Sequence, residues 1–405
     1  MANFKYKIRD KHGRPSTGSI EGESRESVAG HFKQMGYMPI MIEESKPGIK
    51  NFSPFRRFFN RVSQEELIVF TRQLETLQGA GVAILVSLGS ITEQIVNPYF
   101  KRVIEEIAGD IESGKSFSDA ISRFPSIFSD IYVNMMRSGE AAGILDDVLG
   151  RLATLMEHEQ EMRMRVKQAI RYPLLVIIVI SIAFPLLIMF VLPKFSALFA
   201  RFNTELPLPT RILLVVHFML SHYWPFIIVA MIAVIIGFRR FINTSSGRYK
   251  WDRVKLKIPV FGQLFLKISL SRFSRMTALL SASGIPILNT LEITKNSLGN
   301  MVIADSIDNI INGIGEGKGI AEPMKLTGLF PGIVVQMVKI GEETGKINEL
   351  LLKVSDYYDS QVDYTVKNLT VLIEPILIFA LGMMVLVMAL AIFMPMWNLM
   401  SVFRY

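Results

Sequence analysis

The residues Gly109-Asp110-Ile111-Glu112-Ser113-Gly114-Lys115-Ser116 match G-x-x-x-x-G-K-[ST], the loop whose backbone N–H groups and lysine cradle nucleotide phosphates. That chemistry needs a buried strand before the loop and a helix after it, so that free N–H groups face the phosphates. Here the preceding YFKRVIEEIAGDI has the spacing of an amphipathic helix, and Asp110 and Glu112 set two carboxylates where phosphate would lie. No apolar strand ending in an acid is present to hold magnesium. About 203 residues on, Asn312 and Gly319 replace the outer glycine and the serine, and only the pair Gly317-Lys318 persists. The motif reads as a turn between helices, with nucleotide binding as the rival that Lys115→Ala would test.

A second pattern occurs twice, as Gly139-Glu140-x-x-Gly143 and Gly341-Glu342-x-x-Gly345. Glycines at these positions let one helix stop and the next begin, which places each glutamate near the new helix's N-terminus. Negative charge there is favoured by roughly 0.3–1 kcal/mol. Contact of the glutamate with a partner protein is the alternative, and a metal site has no further ligands clustered nearby. His12, His31, His158, His217 and His222 are scattered without zinc-like spacing, and His217 and His222 read as interfacial. The serines lack a nucleophile elbow, and cysteine is absent, which excludes disulfides and thiolate sites. We expect no catalysis and no cofactor.

The elements that carry these residues are themselves duplicated. Arg72 and Gly81 in FTRQLETLQGAGVAIL answer to Arg275 and Gly284 in FSRMTALLSASGIPIL, and the correspondence extends from Gly114-Lys115 to the paired prolines Pro173 with Pro375 and Pro193 with Pro395. Each copy is a polar, helix-patterned stretch of roughly 100 residues that runs into about 20 apolar ones, enough to cross a bilayer core of about 30 Å. Within the first copy, Ser63-Gln64-Glu65-Glu66 forms a capping box that starts a helix. Breaks at 79–81, Asn97-Pro98, Gly114, Pro125 and 139–143 divide the copy into about six helices. The last of them carries Leu145, Val148, Leu149, Leu152, Leu155, Met156, Met162, Val166 and Ala169 near heptad spacing and continues into the membrane at Pro173.

Half of the residues are hydrophobic, yet a fifth are charged and those charges avoid three apolar runs, 173–193, 213–238 and 375–396. The first and third runs contain no ionisable side chain. A carrier of ions or solutes needs polar groups at mid-membrane, so transport is not expected. Arg163, Arg165, Lys167 and Arg171 precede the first run, and Arg239, Arg240, Arg248, Lys250, Arg253, Lys255 and Lys257 follow the second. The positive-inside rule then puts the N-terminus and both polar modules in the cytoplasm, and the C-terminus on the other side. Much of the net charge of +8 belongs to these flanks and needs no nucleic acid to explain it. Ala380 and Gly382 allow helix association in the third run.

The first 45 residues form a separate unit: Phe4, Tyr6 and Ile8 alternate as a strand, Lys11-His12-Gly13 turns, Val28, Phe32 and Met35 share a helical face, Gly36 stops it, and YMPIMIE returns as a strand. In the linker 46–62, Phe52, Phe55, Phe58 and Phe59 lie among Lys50, Arg56, Arg57 and Arg61. Contact with an anionic membrane face or a partner fits this segment best, an ordinary docking segment is the alternative, and nucleic acid fits least. No apolar stretch of export-signal type opens the chain. The expected organisation is an N-terminal α+β unit (1–45), the linker (46–62), a first cytoplasmic bundle (63–172), a span (173–193), an outer loop (194–212), a second span (213–238), a basic linker (239–265), a second bundle (266–373), a third span (374–396) and an outer tail (397–405). This is an all-α membrane protein: two duplicated six-helix cytoplasmic bundles, three transmembrane helices and a small appendage.

RVKQAIRYP running to VLP, that is Arg165, Val166, Ala169, Ile170, Tyr172 and Pro173 followed by Val191, Leu192 and Pro193, resembles the signature of the type II secretion system F family. ELPLPTRIL at 205–213 and IEPILI at 373–378 extend the likeness, with Glu374-Pro375 standing where the first copy has Tyr172-Pro173. That family includes inner-membrane platform proteins of type IV pili. The resemblance implies a scaffold in the bacterial inner membrane, a homo-oligomer, on which a cytoplasmic hexameric ATPase works to add or remove pilin or pseudopilin subunits beside alignment proteins. On this reading the repeated Arg72, Gly81, Gly114, Lys115, Gly139, Glu140 and Gly143, with Arg275, Gly284, Gly317, Lys318, Gly341, Glu342 and Gly345, are hinges or partner contacts. Tyr172, Pro173, Pro193, Glu374, Pro375 and Pro395 bound the spans.

Overall fold

The computed structural model describes residues 2–9, 15–22, 25–44, 61–194 and 207–402. The turn at Lys11-His12-Gly13, nearly all of the basic aromatic linker, Glu205 and the last three residues lie outside them. Two compact units are present, Met1–Arg61 and Val62–Tyr405.

The N-terminal unit is an antiparallel sheet of order β2-β1-β3, built from β1 (Ala2–Arg9), β2 (Pro15–Gly22) and β3 (Met38–Glu44). Helix α1 (Arg25–Gln34) carries the buried Val28 and Phe32. The strand β2 is not anticipated by the sequence pattern, because PSTGSIEG is poor in β-branched and aromatic residues. Pairing with β1 across the full register from Ala2↔Gly22 to Arg9↔Pro15 overrides that weak propensity. Met35 departs from the expected face: α1 ends one residue earlier, Gly36 takes a left-handed conformation (φ 80°), and Met35 is 56% exposed.

In the larger unit, α2 (Gln64–Gly79), α3 (Ile84–Gln94), α4 (Pro98–Glu112), α5 (Phe117–Ser122), α6 (Asp130–Ala142) and α7 (Leu145–Phe190) form the first bundle. Side chains start these helices where the sequence offers caps. Ser63 and Glu66 close the capping box (Ser63 N to Glu66 Oε2 2.7 Å, Glu66 N to Ser63 Oγ 3.1 Å), and Asn97 accepts from Tyr99 N and Phe100 N ahead of Pro98. Their apolar faces meet in one core that contains Phe70, Leu74, Ile91, Phe100, Ile104, Phe128 and Tyr132. Aromatic edges interlock there, with ring centroids at 5.5 Å for Phe70–Phe100 and 4.9 Å for Phe128–Tyr132. Buried Tyr132 keeps its hydroxyl 3.1 Å from Thr71 Oγ1, and burial pushes its pKa well above the usual tyrosine value.

The second bundle repeats the order with α10 (Phe261–Ala282), α11 (Ile287–Ser297), α12 (Met301–Gly315), α13 (Ala321–Leu326), α14 (Gly332–Thr344) and α15 (Ile347–Val402). Asn300 caps α12 through Val302 N and Ile303 N just as Asn97 caps α4. The bundles share material: Met276 and Leu280 near the end of α10, with Ile285 in the turn after it, complete the core of the first bundle, and Ser138 Oγ donates to the Ser283 carbonyl at 2.9 Å.

Among the described residues, three helices are long and apolar enough to cross a membrane. Two of them, α7 with 46 residues and α15 with 56, belong to the bundles, and α8 (Leu208–Ile242) lies between. The short α9 (Ser245–Lys257) links α8 to α10. At 1.5 Å per residue α7 is about 69 Å long, so roughly 40 Å of it lies beyond a 30 Å hydrocarbon core. It passes through Pro173 and Pro185 without a break, and α15 passes through Pro375 and Pro395, so these prolines sit inside helices rather than at their ends. Leu174, Ile178, Ile182, Phe226, Ile236, Ile376 and Phe379 are exposed, as side chains facing lipid should be. The three helices touch through Ile188, Leu192, Leu213, Met388 and Ala391, where Thr210 Oγ1 donates to the Ala391 carbonyl at 2.9 Å.

Candidate functional site

Helix α5 has six residues and needs an external acceptor for its N-terminal N–H groups. Glu140, on α6, supplies it: Phe117 N donates to Oε1 at 2.6 Å and Ser118 N donates to Oε2 at 2.9 Å. The second bundle repeats the contact, with Ile320 N donating to Oε1 of Glu342 and Ala321 N donating to Oε2 at 3.0 Å, at the start of the equally short α13. This corrects the local expectation for both glutamates. Each carboxylate accepts from two N–H groups, 23 and 22 residues earlier in the first copy and 22 and 21 earlier in the second, and does not seal the helix that follows its own turn.

The same contacts decide the phosphate-loop resemblance. Gly114 N and Lys115 N donate to the Ile111 and Asp110 carbonyls at 2.9 and 3.1 Å, and the N–H groups of Phe117 and Ser118, next along the loop, are held by Glu140. Lys115 Nζ lies 2.8 Å from Asp110, which also pairs with Arg123, and these two cations hold the Asp110 carboxyl below its usual range. The preceding element is helix α4, and Gly114 (φ 95°) turns the chain into α5. In the second copy Gly317 (φ 84°) makes the turn, and Lys318 pairs with Glu316 at 2.8 Å. Gly319 leaves room there for the carboxylate: a Cβ on it would stand 2.7 Å from Glu342 Oε1.

The glycines of the second motif divide into two tasks. Gly143 (φ 70°) and Gly345 (φ 71°) are left-handed hairpin residues between α6 and α7 and between α14 and α15. Gly139 and Gly341 lie inside α6 and α14, where the helices cross closely. A Cβ would come within 3.1 Å of Val148 Cβ at the first and 2.8 Å of Ile347 Cα at the second. Gly81 and Gly284 also make left-handed turns, at φ 77° and 81°.

Arg72 and Arg275 clamp the second element of the hairpin. Arg72 grips Glu157 on α7 through Nη2–Oε2 at 2.6 Å and Nε–Oε1 at 3.1 Å, while Arg275 Nη2 reaches Asp356 at 2.7 Å and Asp359 at 2.8 Å on α15. Glu157 and Asp359 hold equivalent places in the repeat, a signal present in the sequence but hidden by the change of residue type. The second clamp is joined to the first bundle. His158 Nε2 lies 3.3 Å from Asp359 Oδ1, Arg272 Nε donates to Glu159 at 2.6 Å, and Arg165 pairs with Asp363 at 2.5 Å. Burial alone would raise the Asp359 carboxyl, but hydrogen bonds from His158, Ser271 and Arg275 and the charge of His158 hold it below its usual range.

The arrangement is thus a pair of helix junctions built on one plan, each at the foot of a membrane-length helix. The family model described as "Type II secretion system (T2SS), protein F" matches residues 70–193 and again 273–395, and the one described as "Type II secretion system protein F, N-terminal domain" matches 1–43. The chain belongs to the type II secretion system protein F family. Both F-family segments hold a full set of junction residues, from Arg72 to Pro193 and from Arg275 to Pro395. Named relatives include "Type IV pilus assembly protein PilC" of Myxococcus xanthus, 34% identical over 98% of this chain and 95% of the relative. The protein of the same name from Thermus thermophilus is 35% identical over 98% of each. "Type II secretion system protein F" of Vibrio cholerae is 28% identical over 99% of this chain and all of the relative.

Proposed function

We propose that the chain is the inner-membrane platform of a type IV pilus or type II secretion machine. It binds a cytoplasmic hexameric ATPase through its bundles and passes that enzyme's motion to pilin or pseudopilin segments held in the membrane. One observation carries the reading: each bundle ends in a helix that continues without interruption into a membrane-length apolar segment, so a force on the bundle has a rigid path to the bilayer. The family and its pilus-assembly and secretion relatives support the setting. The engagement of Glu140 and Glu342 by backbone N–H groups favours a hinge role for the GExxG junctions over direct partner contact.

On this proposal the protein does no chemistry of its own, inner-membrane alignment proteins flank it, and it works as a homo-oligomer. Reporters fused after Ser246 and at Tyr405 should fall on opposite faces of the inner membrane. The hinge is tested by Gly143→Val combined with Gly345→Val, which forces two branched residues into left-handed backbone. The variant should still insert, as judged by resistance to alkaline extraction, and should fail to support pili or secretion. Normal fibre assembly by an inserted double variant would refute the coupling.

A further inference from the structure

The segment that joins the second membrane-length helix to the second bundle concentrates basic side chains. The last turn of α8 carries Arg239 and Arg240, and α9 follows after two residues. Spacing on α9 separates two faces. Asp252, 1% exposed, and the half-buried Leu256 point inward, whereas Lys250, Arg253, Val254 and Lys257 form an exposed stripe at intervals of three and four.

The inward face fixes the position of this stripe. Asp252 Oδ2 accepts from Met301 N at 3.0 Å and so caps α12, and Lys255, at 3.0 Å, neutralises the same carboxylate. Trp251 packs edge-on against Phe238 in the last turns of α8, with ring centroids 5.0 Å apart and interplanar angle 86°. Lys255 also lies 5.7 Å from the Trp251 ring centroid. The exposed stripe is therefore held beside the end of a helix whose apolar segment is 0% buried within the protein. Lys255–Asp252 is the ion pair that α9 makes, and Arg239, Arg240, Lys250, Arg253 and Lys257 have no carboxylate partner among the described residues.

Five unpaired cations and an exposed valine at the mouth of a membrane helix have the composition of an interfacial anchor. Long basic side chains reach phosphate while their stems and the valine rest on the acyl boundary. We propose that α9 and the last turn of α8 bind the phosphodiester headgroups of anionic phospholipid in the leaflet next to the bundles. The bound headgroups then register the second bundle against the membrane through the Asp252 cap on α12. This rests on reading α8 as a membrane span.

The full chain in neutral detergent micelles, with Trp224→Phe and Trp397→Phe so that Trp251 reports alone, provides the test. Titration with phosphatidylglycerol should give a saturable change in Trp251 emission that added salt weakens, and phosphatidylcholine should give little. Each surface cation contributes roughly fivefold to association with an acidic membrane. The triple variant Lys250→Gln, Arg253→Gln, Lys257→Gln should therefore raise the half-saturating phosphatidylglycerol concentration about a hundredfold, with its helical circular dichroism unchanged. Equal responses to both lipids, an unaltered triple variant, or the same emission change from free glycerol phosphate would overturn the proposal. Release of the wild-type protein by alkaline extraction would instead sink the membrane reading beneath it, a separate result.

Discussion

The two bundles reach one backbone arrangement with different side chains. In both, a glutamate from the penultimate helix seals a six-residue helix, a left-handed glycine closes the last hairpin, and an arginine clamps an acid on the long helix. Around that frame the copies diverge. The first keeps Ser116 as an added cap on α5, through Asp119 N at 3.1 Å, and braces its turn with Asp110 between Lys115 and Arg123. The second has Gly319 in place of the serine and lets Pro323 into a space that a Cβ on Gly313 would fill, at 2.4 Å. The first arginine is 39% exposed and the second 13%. Junction geometry is common to both copies, and the manner of stabilising it is not.

The arginines should separate the copies most. Arg275→Ala leaves Asp359, among buried groups at the contact between bundles, with only His158 and Ser271 as partners among the described residues and should cost about 3 kcal/mol. Arg72→Ala removes a half-exposed pair worth about 0.5–1 kcal/mol. Thermal unfolding of the two full-length variants measures the difference, and equal losses would mean that the second clamp is no more buried in effect than the first. The glutamates come next. Glu342→Ala leaves two N–H groups without an acceptor at about 2 kcal/mol, since charged hydrogen bonds contribute about 1.5–3 each way. Glu140→Ala should cost somewhat less, because Ser116 still caps α5. A Glu140→Ala variant less stable than Glu342→Ala would show that the serine contributes nothing.

The smallest expected effect depends on pH. Asp359 is held below its usual range when folded, so its contribution is complete above the unfolded carboxylate value of about 3.9 and is lost as pH falls through that value and below it. The Tm gap between wild type and Asp359→Asn should therefore be constant near neutrality and shrink below about pH 4. A gap that widens on acidification would reverse the sign of this interaction.

Glycine, proline and hydropathy made much of this molecule legible from its residues. Left-handed turns leave few alternatives to glycine, which is why Gly81, Gly114 and Gly143 reappear as Gly284, Gly317 and Gly345. Three apolar runs and the Ser63 capping box likewise announce their elements directly. What escaped is what depends on distant packing. Periodicity marks an apolar face on α10 but does not say that Met276 and Leu280 fill the other bundle's core. Local rules assign the glutamates to the nearest helix, whereas α5 and α13, folded back beside α6 and α14, present their N–H groups from a sequence distance that no such rule covers. The clamp acids were hidden because Glu157 and Asp359 share a charge and a place but not a letter.

The long helices meet at more than one level. His158 and Arg165 on α7 hold Asp359 and Asp363 on α15, and Ile188 meets the Met388 and Ala391 side of α15 farther along. Two rods tied together at separate heights cannot slide or twist independently, as the uprights of a ladder cannot once its rungs are fixed. On the proposed function, a pull applied to either bundle would reach the lipid as a swing of the pair.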